Sequence, residues 1–486
     1  MNEFFDRDSE KKDENQDKNI DGISSHFTSS GILLFLNQLV LAFGNWIFWM
    51  LISRFASTVE IGQATTIYSL VVFVTTIIQF GIEYPILKYS LKYRGSILFT
   101  TFIIEMGLSL LAIPFIVYFF ANFEDNNLGQ FEWLAILMVI MTAPGIIAHY
   151  LLLSLFKIRT VLIIDIIATV IKFLVGFVLV IYGFGASGIL FAFLINVSIV
   201  SLCTFAIVLK EMPFRLNFNV FKIVIKDGLI NTPSKISRVF VFSLSVILLA
   251  VFGVDVSQIG IFYMALTISL IAGGFATNIG LMVIPASIRT ERDYASSALR
   301  IGLSFTIPLI MILITQSYAI LGFIGTSYTV ASVDLIILGL SILPSSITII
   351  AISEFNLTNQ YKKILFIGLV EIIIFIVTFS ILVPNLNILG ASLATLVAFL
   401  ASAIISVIWI KKTSLRYILT SLVSLASGII IWLAISFIAG NGLIATITNL
   451  IVVVLASSAI VFYLNKITIR ELISMIRSVA KINNND

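Results

Sequence analysis

Four ionisable residues interrupt otherwise apolar runs of this 486-residue chain: Glu105, Asp165, Lys172 and Glu371. A charge at the centre of a bilayer costs at least ~2.5 kcal/mol on insertion scales, so each demands a partner or a task. Asp165 and Lys172 stand seven positions apart, two turns along one helix face and about 10.5 Å apart axially. That is too far for a direct ion pair, and it turns an acid and a base toward one wet or protein-lined interior. Lys172 lies about 18 Å along its helix from residue 160. Its compact charge suits a phosphate or pyrophosphate; it equally suits a buried pair with Glu105 that fixes helix packing. Glu105, Asp165 and Glu371 are the carboxylates available to cycle a coupling proton or sodium ion. Residues 183–188, G-F-G-A-S-G, point elsewhere, as a literal match to the phosphate-cradling G-x-G-x-x-G.

The elements that position these residues follow from composition. The chain is 59% hydrophobic and 11% charged, where soluble domains carry about 25% charged residues, and mean hydropathy is +1.11. Too few charges exist to coat soluble domains. Reading for runs of about 20 apolar residues gives fourteen spans between residues 29 and 464. Cytoplasmic loops collect Lys and Arg, and with the N-terminus inside, 27 of the 29 Lys and Arg fall on the cytoplasmic side; Arg54 and Lys172 are the exceptions. One span more or fewer would break that alternation. The expectation is an all-α, multi-pass protein of the plasma membrane with both termini cytoplasmic. Its bilayer-embedded composition offers nothing for nucleic acid.

The first 28 residues hold eight acids against Arg7, Lys11, Lys12 and Lys18, the pattern of a disordered, solvated tail. They lack the basic region and cleavage site of a signal peptide, so the first helix is expected to stay. One cysteine (Cys203) and two histidines (His26, His149) supply neither a disulfide framework nor a metal cluster. No cofactor is expected, and His149 reads as a buried hydrogen-bonding residue. External loops are short, which argues against an enzyme built on an extracytoplasmic catalytic domain, and no Walker A motif offers an ATP motor.

The sequence also repeats. L-I-S-R-F-A-S-T-V-E-I-G, ending at Gly62, resembles L-L-A-V-F-G-V-D-V-S-Q-I-G, ending at Gly260, 198 positions later. Pro85 and Pro285, Arg94 and Arg292, Lys157 and Lys362, Gly188 and Gly390 keep nearly the same offset. Each unit holds six spans and begins inside, so two like-oriented lobes are expected, related by an axis along the membrane normal, with a substrate site between them. The organisation reads as a tail (1–28), an N-lobe (29–209), an amphipathic cytoplasmic connector (210–228), a C-lobe (229–410), a two-helix appendage (411–464) and a C-terminal tail (465–486). Residues 214–226, F-R-L-N-F-N-V-F-K-I-V-I-K, are expected to lie on the inner membrane surface. The fingerprint glycines then fall in an external turn after an apolar helix, with an echo, L-G-A-S-L-A, 202 positions on. No strand precedes them, and the nearest acid, Glu211, is about 34 Å away along a helix. Tight reversal and close helix contact explain them better than a nucleotide.

The start W-I-F-W-M-L-I-S-R-F-A-S-T-V-E-I-G-Q-A-T-T-I-Y-S-L and the lobe closes Y-G-F-G-A-S-G-I-L-F-A and N-L-N-I-L-G-A-S-L-A resemble polysaccharide flippases of the multidrug/oligosaccharidyl-lipid/polysaccharide exporter superfamily, over residues 29–412. The resemblance implies flipping of an isoprenoid-(pyro)phosphate-linked oligosaccharide to the outer leaflet by alternating access, for surface-glycan assembly and in company with glycan-assembly proteins. It implies that the last two helices line a groove for the lipid tail. Arg54 matches the arginine that ends the family's first helix, which in lipid II flippases belongs to a cationic cavity; the alternative is an interfacial anchor. Val251 occupies the corresponding place in lobe two. Lys235 and Arg238, opening span 7, and Glu83 and Lys88, closing span 2, are placed to meet a headgroup entering from the inner leaflet. The other cytoplasmic cations read as topology determinants. The competing readings are a cation-coupled multidrug or small-molecule antiporter of the same superfamily, a fourteen-span major-facilitator exporter, whose basic loop after span 2 is absent, and a non-transporting scaffold in polysaccharide assembly.

Overall fold

The computed structural model describes residue 41 and residues 44–467, apart from 91, 94–95, 123–127, 156, 213–214, 216, 291–294, 411 and 440–442. Side chains are described at these positions except 84, 88, 230–231, 233–240, 275, 277–290, 295, 297, 357, 412–414, 436, 438–439 and 443–449. The expected N-terminal tail (1–28) lies outside the described residues, as does the expected C-terminal tail (465–486) apart from residues 465–467, where Asn465 is buried and belongs to the helical bundle.

Among the described residues the chain is helical and has no strand. The first half contains α1 (44–52), α2 (Thr58–Gln79), α3 (Glu83–Tyr89), α4 (Ile97–Ala121), α5 (Glu132–Ser154), α6 (Ile158–Ile181) and α7 (Gly185–Glu211). The second contains α8 (Phe218–Val251), α9 (Val256–Thr290), α10 (Ala295–Ile324), α11 (Ser332–Leu357), α12 (Tyr361–Leu386) and α13 (Ile388–Trp409), followed by α14 (Lys412–Ala439) and α15 (Leu443–Leu464). Setting aside the seven-residue α3, one helix stands in the place of each of the fourteen expected spans. Eleven of them, within the described residues, are long and apolar enough to cross a membrane.

Local chemistry sets several boundaries. Ser57 and Glu60 form a capping box at the start of α2, each side chain bonding the other residue's backbone N–H. Pro114, Pro144, Pro344 and Pro384 lie inside helices, which membrane helices tolerate because neighbours re-satisfy the freed carbonyls. Pro144 and Pro344 occupy matching places in α5 and α11, a further landmark of the duplication.

In the first lobe α5 and α6 pack on α7, and α4 on α5; in the second α11 packs against α9, α10 and α13, and α12 against α13. The lobes meet along α2, which lies against α8 and α9. α14 and α15 pack on each other and on α10. Side-chain hydrogen bonds pin that appendage: Thr420 Oγ1 donates to Asn465 Oδ1 (2.6 Å), and Asn465 Nδ2 donates to Ser304 Oγ on α10 (2.7 Å). Ser424 Oγ donates to the Ser457 carbonyl (3.0 Å).

The connector departs from expectation. It does not form a separate surface helix: α8 runs unbroken from Phe218 to Val251, with Asn217 Oδ1 accepting from the Asn219 and Val220 N–H groups at its start. Its apolar stripe, Val220, Phe221, Val224 and Ile225, packs into a cluster with Ile82, Ile86, Leu98, Leu151 and Met212 of the N-lobe. The stripe is covered by protein, so the membrane surface is not needed to bury it. Tyr89 Oη donates to Asp227 Oδ2 (2.8 Å), and Thr232 Oγ1 to the Phe80 carbonyl (3.0 Å), fastening α8 to α2 and α3.

Candidate transport pathway and coupling site

The end of the bundle expected outside is sealed where the duplicated glycines meet. A methyl built on Gly260 would sit 2.5 Å from the Thr58 carbonyl oxygen and 2.7 Å from the Gly62 nitrogen, and one on Gly62 would run into the Val256 carbonyl. α2 and α9 therefore touch backbone to backbone, which only glycine permits. Beside this contact the Thr58 and Ser257 hydroxyls are 2.7 Å apart. Arg54, exposed in the turn after α1, donates from Nη2 to the Phe323 carbonyl (2.9 Å), its guanidinium 4.9 Å from the Phe323 ring centre. It ties the N-lobe to the outer end of α10, the geometry of an interlobe anchor.

A buried aromatic cluster lies beneath. Phe48 and Trp49 of α1, Tyr68 of α2 and Phe193 of α7 have ring centres 4.2–5.6 Å apart in successive contacts. Tyr263 of α9 in the other lobe meets Trp49 at 5.2 Å, edge to face. Lys172, 2% exposed, donates to Asn45 Oδ1 of α1, with its ammonium 5.2 Å from the Phe48 ring and 5.0 Å from the Phe193 ring. The hydrogen-bond partner is thus a neutral amide on α1, 127 positions away.

Asp165 is drawn into a different environment. It lines an N-lobe cavity of about 360 Å³ together with Gln79, Thr142, His149, Asn196 and Ser201, and His149 is near enough for its charge to interact with that of Asp165. Asp165 and Lys172 therefore do not share one compartment, although they share a helix face. Several polar positions of this cavity are apolar at the matching described positions of the other lobe. With the offsets of Pro144/Pro344 and Gly188/Gly390, His149 corresponds to Ile349, Asn196 to Ala398 and Ser201 to Ala403, all three buried. Glu371 on α12 comes within one residue of matching Asp165, by the Lys157/Lys362 offset, and is also buried.

Glu105 is fully buried on α4, and Glu83 is buried at the start of α3. Lys88 lies on α3, and Lys235 and Arg238 on α8, but their side chains fall outside the described residues, as does any headgroup site they form. The fingerprint glycines resolve as a turn. Gly183 and Gly185 adopt φ of +84° and +47°, a methyl on Gly185 would strike the Glu60 carboxylate, and one on Gly188 would lie 2.8 Å from Leu179 Cβ. Asn45, Phe48, Phe193 and Asn196 escaped the sequence reading, and His149 was expected only as a buried hydrogen-bonding residue; the available signal was polar residues within apolar runs, Asn45 and Asn196 above all.

Two six-helix lobes of like orientation, touching across an outer seal, define a two-lobe transporter fold. More particularly it is the fold of the multidrug/oligosaccharidyl-lipid/polysaccharide superfamily. The chain is similar to the lipid II flippase MurJ in an inward closed conformation, with 18% identity, 89% of this chain and 98% of that chain covered, and a TM-score of 0.63. It is similar to an inward-facing multidrug resistance MATE transporter of that superfamily, at 14% identity, 80% and 98% coverage and a TM-score of 0.57. The MATE multidrug transporter DinF-BH matches at 16% identity, 79% and 93% coverage and a TM-score of 0.52. No protein-family model and no curated protein matches the sequence.

Proposed function

We propose that the protein flips an isoprenoid-(pyro)phosphate-linked oligosaccharide from the inner to the outer leaflet of the plasma membrane by alternating access of its two lobes, with both termini cytoplasmic. The observation that carries this reading is the appended pair α14–α15 fixed to α10. A two-lobe drug exporter does not require it, and the similarity to the flippase takes in 89% of the chain against about 80% for the multidrug transporters. In this reading Lys235, Arg238, Lys88 and Glu83 receive the headgroup, Arg54 anchors the outer seal, and Glu105 and Glu371 support helix packing or ion exchange. Asp165, which lines the N-lobe cavity with His149, exchanges the coupling cation.

Reconstitution with fluorescently labelled lipid-linked oligosaccharide tests it: label should become accessible in the outer leaflet, and Asp165→Asn should remove dependence on an imposed cation gradient. Intact, folded protein that moves no such lipid while extruding organic cations would transfer the assignment to the second reading, a cation-coupled small-molecule antiporter, which the Asp165–His149 cavity favours. Truncation after residue 414 should abolish flipping of a long-tailed lipid if α14 and α15 hold the tail.

A further inference from the structure

Lys172 is the one cation among the described residues placed deep in a span, and its ammonium lies over two aromatic rings. The helices bring the relevant groups to one depth. Counting from the outer helix ends at 1.5 Å per residue, Lys172 is about 13 Å below Ile181, Phe193 about 12 Å below Gly185, Tyr68 about 15 Å below Thr58 and Tyr263 about 10 Å below Val256. The Gly62–Gly260 contact lies about 6 Å below the same ends. The outer seal thus has two layers, glycine backbone above and an aromatic interlock below. In the lower layer, the N-lobe presents Trp49 and Tyr68, and the C-lobe presents Tyr263, whose ring meets that of Trp49 edge to face at 5.2 Å. Trp49 and Tyr68 both rest on Phe193 (5.6 and 4.2 Å), and Phe193 rests on Phe48 (5.3 Å). The Lys172 ammonium contacts the two rings at the back of this stack, Phe48 and Phe193.

We propose that Lys172 is a positioning residue for the outer gate: its ammonium clamps Phe48 to Phe193 and so holds the Trp49–Tyr68 face against Tyr263 while the outer side is closed. A desolvated cation between two ring faces is strongly attracted to both, and Asn45 satisfies a donor that the rings leave over. Because Asn45 is neutral, replacing Lys172 with methionine leaves no buried counter-charge behind, which makes the substitution a clean one. The proposal rests on alternating access of the two lobes and not on what is carried, so its test needs no substrate.

The experiment uses full-length protein with the exposed Cys203 replaced by serine and cysteines placed at Thr58 and Ser257, whose hydroxyls are 2.7 Å apart, within disulfide reach. The rate of disulfide formation in nanodiscs reports the closed outer gate. Lys172→Met should slow it by about thirtyfold, the scale of one desolvated cation–π contact, and should raise labelling of the same thiols by an outside maleimide. Lys172→Arg, which keeps a cation for the rings, should cross-link at close to the parent rate. Tyr263→Leu, which removes the opposite half of the interlock, should slow cross-linking alone and add little on top of Lys172→Met, since both break one linkage. Folded Lys172→Met protein that cross-links at the parent rate overturns the proposal, and so do multiplicative effects in the double variant. Should Lys172→Met not fold, Phe193→Leu must slow the reaction while Lys172→Arg does not; the opposite pattern is equally fatal. A protein that flips no lipid but shows the expected cross-linking pattern would remove the substrate assignment and leave the gate intact.

Discussion

A single methyl group at residue 260 should bias the whole molecule. Gly260 lies on α9 against α2, and an alanine Cβ there would be 2.5 Å from the Thr58 carbonyl oxygen and 2.7 Å from the Gly62 nitrogen. Both are helix backbone atoms that cannot swing aside. Reaching an ordinary contact of about 3.5 Å requires the helices to part by about 1 Å at this point. Overpacking of this kind costs ~1–3 kcal/mol, and only the conformation with the outer end closed bears it. At 1.4 kcal/mol per tenfold, the ratio of outer-closed to outer-open molecules should fall by roughly 5- to 150-fold. The gain of about 1 kcal/mol in helix propensity from Gly to Ala applies to both conformations and cancels. Gly274 on the same helix has nothing within 4 Å of its Cβ position, so Gly274→Ala is the matched control. Spin labels at Gln130→Cys and Ser327→Cys, on the outer ends of the two lobes, with Cys203→Ser, give the readout by pulsed electron–electron resonance. The long-distance population should grow in Gly260→Ala and not in Gly274→Ala. Superimposable distance distributions for Gly260→Ala and the parent would refute the reasoning.

Other substitutions test separate joints. Gly185→Ala meets both a φ of +47° and the Glu60 carboxylate, whereas Gly183→Ala meets a φ of +84° with open space around it; thermal unfolding should show the larger loss at 185. Asn465→Leu breaks the bonds to Thr420 and Ser304 and should lower stability by about 1–3 kcal/mol, with increased protease sensitivity of α14 and α15 as the local sign. Ser57→Ala removes one half of the α2 capping box at a cost of ~1 kcal/mol. Lys157 and Glu211 form an ion pair with side chains 37% and 31% exposed, so Lys157→Ala should change stability by only ~0.2–1 kcal/mol, less than Asn465→Leu does.

Legibility from sequence followed the range of the interaction. Span positions came from runs of apolar residues, and the duplication from residues at matched offsets, so the sequence already located the glycine pair that closes the outer end. The external turn was likewise readable, because left-handed backbone at 183 and 185 is a local demand. The environment of Lys172 was not readable. A hydrogen bond to Asn45 crosses 127 positions, and neither hydropathy nor periodicity specifies which ring will face an ammonium. Helical spacing put Asp165 and Lys172 on one face, yet a face about 10 Å long borders two compartments. His149 looked like a solitary core histidine because its companion, Asp165, arrives from the next helix. The connector misled for a related reason: amphipathicity shows that a stripe needs cover and does not say whether lipid or protein supplies it.

The long α8 has a consequence for how the chain is made. Its first turns complete a hydrophobic cluster that belongs to the N-lobe, through Val220 and Val224, while its last turns pack against α12 and α13 of the C-lobe. Chains fold as they emerge, N-terminal units first. The finished first half therefore captures the opening helix of the second before the remainder has been synthesised, and fixes its register and tilt. One copy of the ancestral unit becomes the template on which its duplicate is assembled, so damage to the Val220–Val224 stripe, which packs on the first lobe, should surface as misassembly of the second.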